Sequence, residues 1–135
     1  MVSIDFEYQG DLHCKALHGP SGTPLTTDAP KDNQGRGETF SPTDLVATAL
    51  GSCMLTTMGI MARTLNVDLA GATATVGKEM TSTPSRMIHQ LTVTIHVPHA
   101  VTPENQTRLE RAALTCPVAK SLNPSVQIPT QFTWG

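Results

Sequence analysis

From Leu45 to Ala62 this chain carries no charged side chain. The segment lies inside a longer helical stretch, Ser41 to Asn66, and it restricts the possible folds more than any other feature. Its start is explicit. Ser41 is an N-cap serine, Pro42 suits a first helical position that has no use for its N–H, and Asp44 stands at N3, close to a capping box. A surface helix shows a polar stripe, so one that is apolar nearly all round is expected to be buried on most sides. The chain has 135 residues, a single domain able to bury roughly two thirds of its unfolded surface. So short a chain offers too little surface to cover such a helix alone, and a homodimer is expected.

A bilayer span needs ~20 apolar residues, about the length available here. Thr48, Ser52, Thr56, Thr57, Gly51 and Gly59 interrupt the segment, and neither aromatic anchors nor a one-sided basic flank accompany it. Strand-rich sequence follows. We therefore read a core helix of an aqueous fold, with no membrane partner. The net charge of −2 comes without any basic cluster, and phosphate binding needs concentrated positive charge, so nucleic acid is not an expected partner. The first residues show no basic region followed by an apolar run, and three cysteines are too few and odd in number for a disulfide scaffold. A cytoplasmic location with reduced thiols is expected.

Val2, Ile4, Phe6 and Tyr8 alternate with Ser3, Asp5 and Glu7, which predicts a half-buried strand. After the turn Gln9–Gly10–Asp11, Leu12, Cys14 and Ala16 alternate with His13, Lys15 and Leu17 in a second strand. His18 to Pro24 has turn chemistry, and a short third strand follows near Leu25 to Thr27. Asp28 to Glu38 reads as a loop delivering the chain to the helix. Beyond Asn66, Ala70, Ala72, Ala74 and Val76 share one face of a strand. Leu91, Val93, Ile95 and Val97 share one face of another, across a turn at Thr81 to Ser85. Thr102–Pro103–Glu104 opens a second helix, whose Leu109, Ala112, Ala113 and Cys116 fall at helical spacing and point inward. Pro117 ends or kinks it, a short helical turn over Val118 to Leu122 can follow, and Gln127 to Trp134 forms a last strand. The order is β-β-β-α-β-β-α-β, an α+β fold of antiparallel sheets wrapped around two central helices, one domain over residues 1–135.

Most buried cysteines are inert small hydrophobes, and Cys14, on the apolar side of its strand, reads that way. Cys116 differs. If Pro117 starts a new helical turn, Cys116 is its N-cap, where backbone N–H groups and the helix dipole can lower a thiol pKa. Cys53 shares a helix face with Val46, Ala49, Leu50 and Thr57. Alone it would be a core residue; beside an inward-facing Cys116 it is a candidate redox thiol. Zinc would want two further ligands in paired spacing. His96 and His99 have no cysteine pair to accompany them, and His89 lies apart, so no metal and no bound cofactor is expected.

Phe40–Ser41–Pro42–Thr43–Asp44–Leu45, Ala47 to Ala49 and Leu50–Gly51–Ser52–Cys53–Met54 resemble the first active-site helix of the OsmC/Ohr family of thiol peroxidases. Cys116–Pro117 is similar to the family's second cysteine, and Gly10 to Cys14 with His18 to Gly22 resembles its OsmC-like branch. The resemblance covers the whole chain. It implies an intertwined homodimer with active sites at the subunit interface and reduction of hydroperoxides, organic ones preferentially. It also implies Cys53 as peroxidatic nucleophile, Cys116 as resolving thiol, and an external dithiol reductant. Peroxidase members carry an arginine on the second strand and a carboxylate just after the helix proline. Here His13 and Thr43 stand at those positions. A protonated His13 can take the cation's part, and Glu38 or Asp44 the carboxylate's; Arg36 and Arg63 are further sources of positive charge. Against these stand plainer readings: Asp44 as a cap, His13 as a solvated strand residue, Arg36 as a loop charge. The alternative function is a dimer that binds a small hydrophobic or electrophilic ligand with little peroxidase activity.

Overall fold

A computed structural model describes residues 1–135. The elements are β1 (Ile4–Tyr8), β2 (His13–His18), β3 (Pro24–Asp28), α1 (Pro42–Leu65), β4 (Thr73–Thr81), β5 (Met87–Val97), α2 (Pro103–Leu114), α3 (Pro117–Ser121) and β6 (Thr130–Trp134). This is the expected order, with α3 as the short extra turn after Pro117. The residues cluster into two compact units, Met1–Val46 and Ala47–Gly135.

In the first unit β1, β2 and β3 form an antiparallel meander. Directly paired residues share a face. Tyr8 opposite Cys14, and Phe6 opposite Ala16, therefore put the apolar alternation of β1 beside Cys14 and Ala16. His13 lies on the other face, opposite Asp28. The alternation predicts a half-buried β1, but every residue of the strand is exposed, Phe6 at 71%. Period-two patterning identifies the strand and its apolar side; it does not say that this chain itself supplies the cover. A 3₁₀ turn at Lys31–Asn33 organises the following loop. Ala29 N–H donates to Leu12 O and Gly37 N–H to Ala29 O, which closes that loop on itself.

In the second unit β4 and β5 pair antiparallel, whereas β6 runs parallel to β5. All-antiparallel pairing was the expectation, and the helical connection is what changes it. A hairpin reverses the chain; a crossover through α2 and α3 returns it to the same end of the sheet. Leu91, Val93, Ile95 and Val97, the inward alternation of β5, are fully buried. Against this core α1 sets a stripe of Ala47, Leu50, Gly51, Met54, Met58 and Ala62. Gly51 permits the close approach, since a Cβ there would sit 3.0 Å from Val76 Cγ2. α2 contributes Leu109 and Ala113.

The other side of α1, including Ala49, Ser52, Thr56 and Ile60, remains exposed. A single chain therefore buries one stripe of this helix rather than most of its circumference. By length and hydropathy alone α1 could cross a membrane, with a mean hydropathy of 1.7 over its most apolar window. Its buried stripe belongs to the core of the second unit.

Candidate active site

Ser41 and Asp44 build the start of α1 together. Ser41 N–H donates to Asp44 Oδ2 at 2.9 Å and Asp44 N–H to Ser41 Oγ at 3.0 Å, the reciprocal bonds of a capping box. Asp44 is thus engaged as a cap. Three turns into the helix, Cys53 is half-buried.

Cys116 comes from the corner between α2 and α3. α2 starts on Thr102, whose hydroxyl accepts the Asn105 N–H, with Pro103 as its first residue. It stops at Thr115, because Pro117 disfavours helical backbone in the residue before it. Cys116 is accordingly extended, φ −64° and ψ 152°, and becomes the N-cap of α3, its Sγ accepting the Ala119 N–H at 3.4 Å. It is fully buried.

The two cysteines are neighbours within this second unit, close enough for the Cys53 side chain to act on the Cys116 thiol. Their neighbourhood raises the Cys116 pKa above its ordinary 9.0. Burial is the largest cause, and the Cys53 sulfur adds to it; the Ala119 and Val118 amides pull the other way. The N-cap placement argued from sequence is therefore correct, but the lowering expected from it is not reached. Withdrawal from water outweighs two backbone amides. Cys116 is held as a thiol, next to a more accessible Cys53.

In the first unit a buried carboxylate gathers three of the predicted auxiliary residues, His13, Arg36 and Glu38. Asp28, 1% exposed, lies 2.5 Å from His13 Nδ1 and 3.8 Å from Arg36 Nη2, and its Oδ2 accepts the Glu38 N–H at 3.0 Å. Asp28 N–H in turn donates to Phe40 O at 3.0 Å. One aspartate thus ties β2, the loop and the approach to α1. Its own pKa is lowered, first by the His13 hydrogen bond and against the desolvation that would raise it, with Glu38 and Arg36 contributing less. His13 is neither a solvated strand residue nor an isolated cation, and Arg36 is more than a loop charge. Glu38 takes part through its backbone, and it lines an open basin of about 430 Å³ together with Gly37, Thr39, Phe40 and Asp44. Sequence reading ended the third strand at Thr27 and so missed Asp28. The available signal was register, since extending that strand by one residue sets Asp28 opposite His13.

The remaining candidates have other surroundings. Arg63 is exposed in the last turn of α1. His96 Nδ1 pairs with Thr133 Oγ1 at 2.8 Å, and His99 Nε2 with Ala70 O at 2.7 Å. Cys14 is half-buried on β2.

Residues 35–131 match the family model for OsmC-like proteins. This chain belongs to the OsmC-like family. No curated protein sequence matches it. Among solved OsmC-type folds, one from Psychrobacter arcticus is 44% identical. The match has a TM-score of 0.93 and covers 98% of this chain and 96% of that one. An organic hydroperoxide resistance protein OsmC from Legionella pneumophila has 15% identity and a TM-score of 0.79, with 98% and 96% covered. An organic hydroperoxide resistance protein from Elizabethkingia anophelis has 16% identity and a TM-score of 0.73, with 100% and 96% covered. At such identities the last two establish the shared OsmC architecture.

Proposed function

We propose that this OsmC-like protein is a cytoplasmic, homodimeric thiol peroxidase that reduces hydroperoxides, organic ones preferentially, with Cys53 as nucleophile and Cys116 as resolving thiol. The observation that carries the reading is the asymmetry of the pair. One thiol is partly accessible; the other is fully buried beside it, and burial raises its pKa. A peroxide has to reach the first, and the second has to wait.

In the first step the Cys53 thiolate attacks the terminal peroxide oxygen. An S–O bond forms, the O–O bond breaks, and the alkoxide leaves and takes up a proton as alcohol. Cys53 becomes a sulfenic acid. In the second step the Cys116 sulfur attacks the Cys53 sulfur. The S–S bond forms, the S–O bond breaks, and the departing hydroxide combines with the Cys116 proton as water. An external dithiol then reduces the disulfide by exchange. No metal or bound cofactor enters this sequence.

Mass spectrometry after one equivalent of cumene hydroperoxide tests the proposal. The wild type should carry a Cys53–Cys116 disulfide. Cys116→Ser should stop after one turnover with a sulfenic acid on Cys53, and Cys53→Ser should abolish consumption, a loss of at least ~10²-fold as for removal of an activated nucleophile. A wild type that consumes peroxide without forming this disulfide would refute the assigned roles.

A second reading has one observation in its favour. His13 is engaged by Asp28 and Asp44 by the capping box, so two of the groups named as substitutes for the family arginine and carboxylate already have structural work. Under that reading the dimer binds a small hydrophobic or electrophilic molecule. Ligand-dependent thermal shifts without peroxide turnover would favour it.

A further inference from the structure

We infer that Thr57 is the positioning residue that holds the two thiols in bonding register, an inference that rests on the dithiol reading above. Thr57 lies one helical turn beyond Cys53. Its Oγ1 is 3.0 Å from Cys53 O, 3.0 Å from Met54 O and 3.1 Å from Ala112 O. A threonine hydroxyl has a single proton, so one of three carbonyls receives it, and their needs differ. Cys53 O and Met54 O lie in the interior of α1, where the i+4 amides already serve them. Ala112 O is among the last carbonyls of α2, which a helix leaves without intrahelical donors.

The usual donor to Ala112 O would be the amide of Cys116, but Pro117 pulls Cys116 out of helical geometry and its N–H goes to Ala113 O at 3.2 Å. Leaving a half-buried carbonyl unserved is unfavourable, whereas a second bond to a carbonyl already paired adds little. The hydroxyl proton therefore goes to Ala112. The bond joins the turn of α1 that carries Cys53 to the end of α2, four residues before Cys116. Without it, the corner that presents Cys116 can shift along α1 while both helices stay folded.

The test is the thiol–disulfide equilibrium with glutathione. Two protein thiols give two electrons and two protons to glutathione disulfide; its S–S bond breaks, the Cys53–Cys116 bond forms, and two glutathione thiols are released. Thr57→Val keeps the shape of the side chain without the hydroxyl, and Thr57→Ser keeps the hydroxyl. The effective concentration of the thiol pair should fall about tenfold in Thr57→Val, the weight of one net hydrogen bond, and return to within about twofold of wild type in Thr57→Ser.

A Thr57 that only supports the fold would lower the melting temperature of the reduced protein and leave this equilibrium unmoved; that outcome overturns the inference. So does a wild type that forms no intramolecular disulfide with glutathione. The assay contains no hydroperoxide, so failure of the peroxidase reading shows up separately, as absent peroxide consumption beside a normal glutathione equilibrium.

Discussion

At the scale of single residues, two ionisable groups show environment overriding identity. Asp28 is a buried carboxylate that stays ionised because His13, Arg36 and the Glu38 amide converge on it. Its pKa lies below the ordinary 3.8, so the native state favours the ionised form more than the unfolded chain does. The resulting stabilisation is complete above about pH 4 and is lost as pH falls through the lowered native value. Asp28→Asn should therefore lower the melting temperature at neutral pH and flatten the acid side of the stability profile. Thermal melts of both proteins at a series of pH values check this, and parallel acid limbs would contradict it. Cys116 shows the opposite sign, a thiol kept protonated by burial although it caps a helix. Its place as N-cap was legible from Cys-Pro, a local signal. Its raised pKa was not, because desolvation depends on how the chain packs around the thiol, not on its sequence neighbours.

At the scale of elements, the helices were legible to within a residue at their starts. Ser41 with Asp44, and Thr102 with Pro103, are capping signals written in consecutive residues. The central property of α1, which side it buries, was less so. A helix with almost no charges gives periodicity little to work with, and only packing selects the stripe through Gly51 and Met54. That choice is testable at Gly51. Gly51→Leu would force a branched side chain into the 3.0 Å gap to Val76, and we expect a loss of about 1–3 kcal/mol from overpacking, measured by denaturant unfolding. The direction of β6 was also out of reach. Period-two patterning is blind to strand polarity, which was set by the α2–α3 crossover between β5 and β6.

At the scale of the whole molecule, the apolar face of β1 is the main unsettled surface energy. Ile4, Phe6 and Tyr8 are 49%, 71% and 64% exposed on one side of one strand. Exposed apolar residues concentrated in this way mark association surfaces, which supports the proposed homodimer. Sedimentation of the wild type should give a dimer at micromolar concentration. Phe6→Glu, which sets a charge into the β1 face, should weaken association by at least ~100-fold, since an unpaired charge in a desolvated interface costs several kcal/mol. A monomeric wild type, or a variant that sediments unchanged, would remove this part of the proposal.

The amino-acid string by itself settled the element order, the starts of α1 and α2, the apolar faces of β1, β2, β4 and β5, and the two thiols worth comparing. The order, the helix starts and the strand faces rest on interactions between residues a few positions apart, such as caps, turns and alternation. Folding in three dimensions decided which carboxylate holds His13, which of three carbonyls Thr57 serves, and which thiol stays protonated. Each of those outcomes depends on a partner distant in the chain and on how much water it displaces. Sequence spacing does not encode that quantity.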